Sequence, residues 1–201
     1  MADARHLIAI TPEQPVADEG CKIEALLRAG WYRVHLRHPD ASRVEMRDLI
    51  ESVSQRYHDR LVLHGHFDLT CDFNLGGLHL NHRCPAAPAL YSGPLSRSCH
   101  SIDEIAEADS MSYVTLSPIF DSISKSGYQA AFTPDTLRSL DKCDIPVIAL
   151  GGISPEHFPM LDCYRFSGHA MLGAIPWEGT CEQVADFASH CVVCNISHYN
   201  Q

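Results

Sequence analysis

Short apolar runs rich in valine, isoleucine and leucine recur along the chain, and polar or glycine turns separate them from stretches whose apolar residues return at helical spacing. The runs predict strands at Leu7–Thr11, Trp31–Arg37, Leu61–His64, Gly77–Leu80, Leu95–Cys99, Tyr113–Ile119, Pro146–Gly151 and Arg165–Leu172. The intervening periodicity predicts helices at Asp18–Ala29, Ala41–Tyr57, Ser101–Ala108, Thr133–Leu140, Pro155–Asp162 and Cys181–His190. Ser101-Ile-Asp-Glu104 has the form of a capping box, and Ser154-Pro155 sets a cap residue before a proline at a first helical position. Phe67 to Asn74 and Cys84 to Leu90 leave room for only short or missing helices after strands three and four.

Strict alternation of strand and helix implies parallel strands joined by right-handed crossovers. Eight such units favour a closed (β/α)8 barrel, a TIM barrel, over an open doubly wound sheet. An open dinucleotide-binding sheet would carry a G-x-G-x-x-G turn after its first strand, and this chain has none there. At 201 residues and 45% hydrophobic content the chain fits one core, so a single domain over 1–201 is expected.

Composition narrows the class of partner. A net charge of −10 and only three lysines, Lys22, Lys125 and Lys142, speak against tracking a phosphate backbone, so no nucleic-acid partner is expected. No stretch approaches the roughly 20 apolar residues of a membrane span, and the start lacks a secretory pattern, so a cytoplasmic, membrane-free protein is expected. Nine cysteines in such a chain read as reduced, buried thiols rather than a disulfide framework. Cys191 and Cys194, with His190 and His198 beside them, have zinc-like spacing but fall in an expected tail and lack an ordered four-ligand pattern.

In a barrel, the residues at the C-terminal ends of the strands face the active site whatever the reaction. Those ends carry Thr11 and Glu13; His35, Arg37 and His38; His64 and His66; His82 and Arg83; Ser98 and His100; Ser117 through Lys125; Gly151 and Gly152; and Gly168 and Gly173. The last three groups form a candidate anion site. Glycines before a helix start let backbone N–H groups approach a phosphate, and Ser122, Ser124 and Lys125 add hydroxyl donors and a cation.

The ordered set Ser98-Cys99-His100, Ser117-Pro-Ile-Phe-Asp-Ser-Ile-Ser-Lys125 and Ala149-Leu-Gly-Gly-Ile153 resembles the thiamine phosphate synthase and TenI family. The resemblance runs from Ser96 through Ile175 and more loosely through the first half of the chain. It implies a pocket for a small phosphorylated thiazole or thiamine phosphate, its phosphate held by Ser122, Ser124 and the backbone at Gly151, Gly152, Leu172 and Gly173. In a synthase, Lys125 and Arg37 would meet the pyrophosphate of an aminopyrimidine substrate, and magnesium would be required. A homodimer is a further expectation from related barrels.

Where the synthase pattern has Gln-x-Arg-x-Lys after strand two, this chain has His35-Leu-Arg37-His-Pro39, and the magnesium aspartates after strands three and four are replaced by His64-Gly65 and by Asn81-His82-Arg83-Cys84. Magnesium prefers oxygen ligands, so the departures point to the TenI branch, whose members tautomerise a thiazole carboxylate phosphate to its aromatic form. That branch is similar in using a Gly-His-x-Phe histidine for acid–base work, where this chain has Pro118. His35, His64, His66 and His100 are the substitutes, with Ser98, His66 and Arg83 as further substrate contacts. No resident metal is expected for this reading. Three alternatives remain: an active synthase, a binding-only protein, and a metallohydrolase using His64 and His66 with His82 or His100.

Overall fold

The computed structural model describes residues 5–121 and 132–197. Eight parallel strands close into a barrel in chain order: β1 (His6–Ile10), β2 (Arg33–Leu36), β3 (Leu61–Leu63), β4 (Gly77–Leu80), β5 (Leu95–Cys99), β6 (Tyr113–Leu116), β7 (Val147–Leu150) and β8 (Gly168–Met171). The seam is a parallel ladder of β1 on β8, from His6 opposite Gly168 to Ala9 opposite Met171.

Helices α1 (Glu19–Ala29), α2 (Arg43–Ser52), α3 (Ile102–Ala106), α4 (Pro134–Arg138), α5 (Phe158–Leu161) and α6 (Cys181–Ser197) surround the strands. All eight strands and six helices correspond to elements expected from the pattern, but most of those elements are shorter than expected. The Ala41–Tyr57 helix ends at Ser52 and gives way to a 3-10 turn over Gln55–Arg60, because Val53 and Ser54 are extended. After β3 there is only a 3-10 turn, Phe67–Cys71, and no helix lies between β4 and β5. The Pro155–Asp162 helix is a 3-10 turn at Pro155–His157 followed by the single turn of α5. Conversely, α6 runs past His190 to Ser197, so Cys191 and Cys194 lie on an ordered helix rather than in a tail.

Local chemistry explains the helix starts. Ser42 Oγ accepts from Glu45 N, and Glu45 Oε2 accepts from Ser42 N, a full capping box. At α3 only half of the expected box forms, since Ser101 Oγ accepts from Glu104 N while Glu104 Oε2 takes the N–H of His100 at 2.9 Å.

The side-chain period of two divides the core. Val34, Leu36, Leu61, Leu63, Leu78, Leu80, Val114 and Leu116 pack outward against the helices. Ile8, Ile10, Tyr113, Ile148 and Ala170 form a separate cluster inside the barrel. The interior is therefore unequal: β7, β8 and β1 fill it with aliphatic groups, whereas β2 to β6 bring in His35, His79, Ser96, Tyr113 and Thr115, all buried.

Three contacts tie α1 and the residues just after it to α6 and the residues just before it across the seam. Buried Lys22 donates to Trp177 O at 2.6 Å, Trp31 Nε1 donates to Ala188 O at 3.2 Å, and Cys21 is disulfide-bonded to Cys181 with Cα atoms 6.1 Å apart. The expectation of reduced thiols throughout is thereby corrected, because the barrel closure brings two helix starts together that lie 160 residues apart in sequence. Cys99 and Cys191 are buried free thiols, but Cys71 and Cys163 are exposed.

Candidate functional site

A cavity of about 830 Å³ opens at the C-terminal ends of the strands. Its wall includes Arg37, His64, His66, Arg83, Ser98, His100, Gly151, Gly152, Leu172 and Gly173, so most of the expected site residues converge here. Ser122, Ser124 and Lys125 lie outside the described residues.

The cavity has two chemically different sides. On the β7–β8 side, Gly151 and Gly152 adopt φ of 95° and 65°, the left-handed region that glycine tolerates. A Cβ on Gly151 would sit 2.8 Å from Pro118 Cα, and one on Gly152 would sit 2.8 Å from Phe120 Cβ and against the Asp121 carbonyl. The tight approach turns backbone toward the cavity: the N–H groups of Gly152 and Gly173 meet no backbone acceptor among the described residues. The expected contribution of a helix N-terminus is reduced, because α5 is one turn long and Ser154 is engaged by His157 Nδ1 at 3.0 to 3.2 Å.

On the β2–β5 side, the buried polar groups are imidazoles and hydroxyls. His35 Nδ1 is 2.9 Å from His64 Nε2, and His35 Nε2 is 2.6 Å from the Tyr113 hydroxyl. His79, on β4, meets Ser96 Oγ through Nδ1 at 2.9 Å and Ser98 Oγ through Nε2 at 2.8 Å. The His64 and His79 rings stack at 4.3 Å. Burial holds His35 and His64 well below the usual histidine range, with neighbouring histidines and arginine charges adding to it, and burial drives His79 down to about 3. All three are neutral imidazoles at pH 7.

The expected His64 and His66 pair does not form. His66 takes a left-handed backbone, φ 49°, and its Nε2 lies 2.7 Å from Ala41 O instead of beside His64. His100 is exposed and its Nδ1 is 2.9 Å from Ser117 O. Arg37 pairs with Glu13 at 3.0 Å, and Arg83 lies 3.7 Å from Asp40. His38 turns away to a buried contact with Glu19 at 2.8 Å.

The ligating atoms of His35, His64 and His79 lie within 4.8 Å of one another, close enough for a metal. Yet both nitrogens of His35 and both of His79 already face protein partners, and only Nδ1 of His64 makes no hydrogen bond among the described residues. His35 and His64 are hydrogen-bonded to each other, and His79 is held separately between Ser96 and Ser98. Magnesium fits no better: Glu13 is the one carboxylate in the described cavity wall, and Arg37 occupies it. Cys191 is fully buried and Cys194 Sγ faces His190 Nε2 at 3.5 Å, so α6 presents no closed zinc set among the described residues.

The family model for thiamine monophosphate synthase matches residues 7–175. The chain belongs to the thiamine phosphate synthase/TenI family. A thiamine-phosphate synthase of Salmonella paratyphi A is 30% identical over 177 residues, covering 80% of this chain and 82% of that protein. The crystal structure of a thiamine phosphate pyrophosphorylase from Bacteroides thetaiotaomicron aligns with a TM-score of 0.81 at 30% identity, over 94% of this chain and 96% of that one. A thiamine phosphate pyrophosphorylase from Pyrococcus furiosus, with a TM-score of 0.77 and 18% identity over 96% of each chain, shares the fold.

His79, Ser96 and Tyr113 were not among the expected site residues. Their signal is present as polar residues alternating with apolar ones inside strands, His79 between Leu78 and Leu80 and Tyr113 before Val114. No helix among the described residues is long and apolar enough to cross a membrane.

Proposed function

We propose that this thiamine-pathway protein binds a thiazole carboxylate phosphate and tautomerises it to the aromatic form, with His64 as the group that takes and returns the proton. The observation that carries the reading is the Nδ1 of His64: a neutral ring nitrogen, without a hydrogen bond among the described residues, in the cavity wall opposite the glycine-lined turn. A tautomerisation moves one proton between two carbons while electrons shift through the intervening double bonds. It needs a base that is unprotonated at pH 7, and burial supplies one.

In this reading the phosphate lies against the backbone at Gly151, Gly152, Leu172 and Gly173, with Ser122, Ser124 and Lys125 as its further ligands. Ser98, His66 and Arg83 line the rest of the substrate, His100 flanks the β5 end, and Arg37 supplies positive charge toward a carboxylate. His35 acts through His64 rather than on the substrate.

The names of the 30%-identical relatives favour a second reading, an active synthase joining this thiazole to an aminopyrimidine pyrophosphate. Two assays separate them. Purified protein should convert the thiazole carboxylate phosphate without added metal, and His64→Gln should lose about 10²-fold or more of that rate. Product formation from thiazole phosphate and pyrimidine pyrophosphate with magnesium, at a rate above the tautomerisation, would sink the first reading in favour of the second. Lys125→Ala should weaken thiazole-phosphate binding in either case, and failure of the wild type to bind any thiazole or thiamine phosphate would remove both.

A further inference from the structure

The glycine side of the cavity depends on a loop that reaches it from β8. Leu172 and Gly173 stand in the cavity wall, and the chain then runs through Ile175 and Trp177, both buried, to Cys181 at the start of α6. Short turns brace this loop from within. Ile175 N–H donates to Leu172 O at 3.2 Å, Trp177 N–H to Ile175 O at 2.8 Å, and Gly179 N–H to Pro176 O at 3.0 Å. A shift at Trp177 is therefore passed back through Ile175 to Leu172 and Gly173.

The group that fixes Trp177 is a buried lysine outside the cavity wall. Lys22 is 2% exposed, and its Nζ donates to Trp177 O at 2.6 Å. Resting on the reading of this wall as the phosphate site, we infer that Lys22 is a positioning residue for the phosphate: it acts through Trp177 to hold Gly173 in the wall and does not itself touch the ligand.

Packing alone does not account for a lysine here. Burying an ammonium group is costly unless it is hydrogen-bonded, and an apolar side chain would fill the same space without that cost. Glu19, one turn earlier on the same face of α1, is also buried, and its carboxylate is engaged elsewhere. Its Oε1 lies 2.8 Å from His38 Nε2, and its Oε2 accepts from Val16 N at 3.3 Å. The first turn of α1 thus reaches two lips of the cavity, the β2 loop at His38 through Glu19 and the β8 loop at Trp177 through Lys22. Between these residues Cys21 is bonded to Cys181, four residues beyond Trp177, and keeps the far end of the β8 loop against α1. The disulfide limits how far that end travels, but the hydrogen bond from Lys22 sets which way the Trp177 carbonyl faces.

Trp31 supplies an internal control. Just past the other end of α1, its Nε1 donates to Ala188 O at 3.2 Å, a contact of the same kind that rests on α6 rather than on the β8 loop.

Lys22→Met keeps nearly the same side-chain length and loses the donor. Inorganic phosphate binding, by calorimetry, should weaken about 10-fold, the scale of one hydrogen bond to a charged group, while Trp31→Phe should stay within about twofold of wild type. With the thiazole carboxylate phosphate, Lys22→Met should raise KM by about 10-fold and leave kcat within about twofold, because His64 lies on the other side of the cavity. Backbone amides between 173 and 179 should exchange with deuterium about 10-fold faster in Lys22→Met than in wild type or Trp31→Phe. Lys22→Gln, a shorter and neutral donor, should shift affinity and exchange in the same direction, and it decides the matter if Lys22→Met does not fold. Wild-type phosphate affinity and loop exchange in a folded Lys22 variant would overturn the inference. Equal losses in Trp31→Phe would do so too, since Lys22 would then be a general tether of α1. A wild type that binds no phosphate defeats the reading of the wall, and the exchange of 173–179 still decides whether Lys22 holds the loop.

Discussion

Acidification offers a quantitative check on the buried histidines, and His169 provides the cleanest handle because it lies away from the cavity. It sits on β8, fully buried, stacked on Phe158 at 4.6 Å, and neither ring nitrogen has a hydrogen-bond partner among the described residues. Burial, with the Arg5 charge adding to it, lowers His169 to about 3, the same value as His79. Above the ordinary histidine value of 6.5, folded and unfolded chains both hold these rings neutral and stability is indifferent to them. Below it, the unfolded ring gains a proton that the folded ring refuses until about pH 3, so the unfolded state binds more protons and stability falls as pH falls. Each such ring removes about 1.4 kcal/mol per pH unit. From about pH 6.5 to pH 5, His79 and His169 together remove roughly 3 kcal/mol, and His35 and His64 act in the same direction. A domain has only about 5–15 kcal/mol in total, so urea midpoints should drop steeply across this window. His169→Phe keeps a ring against Phe158 and should flatten the slope by about one proton, roughly 1.4 kcal/mol per pH unit. Measuring above pH 5 keeps most carboxylates ionised and out of the slope. A midpoint that is level from pH 6.5 to pH 5, or an unchanged slope in His169→Phe, would refute the reasoning.

Other perturbations test separate links. Gly152→Ala forces a Cβ into the left-handed region and onto Phe120 and Asp121; a loss of about 1–3 kcal/mol in stability and weaker inorganic phosphate binding are expected, by urea titration and calorimetry. Cys21→Ser should lower stability by about 2–5 kcal/mol relative to the oxidised wild type, and the difference should vanish when both are measured with excess thiol reductant. Trp31→Phe removes the indole N–H from the Ala188 carbonyl and should cost about 1–3 kcal/mol, read as a shift in urea midpoint with an unchanged slope.

The barrel was legible because eight apolar runs alternate with helical spacing, a pattern that parallel closure requires. The glycine turn was legible too, since Gly151 and Gly152 stand where a strand must give way to a close backbone approach. Helix lengths were less so: the pattern over Ala41–Tyr57 is continuous, and only the extended Val53 and Ser54 show that it breaks into two elements. The histidine cluster was partly hidden. His64 sits at a strand end, where function is sought, but His79, Ser96 and Tyr113 lie inside strands, where a polar residue reads as an exposed position until closure turns it inward. Spacing favoured His64 with His66, two residues apart, but the left-handed backbone at His66 sends its ring to Ala41. The disulfide was invisible for the opposite reason, since 160 residues separate two cysteines that become neighbours only when β1 meets β8.

That cross-link turns most of the chain into a covalent loop. Strands β2 to β8 lie within it, while β1 and the rest of α6 hang outside as two tails. Pulled by its ends in an optical trap, the oxidised protein should release only the tails, with the tension passing straight from Cys21 to Cys181. Reduction should free the enclosed 160 residues, adding roughly 540 Å of contour length at about 3.4 Å per residue. The bond thus shields nearly the whole barrel from force applied at the termini, and only β1 and the rest of α6 bear the load.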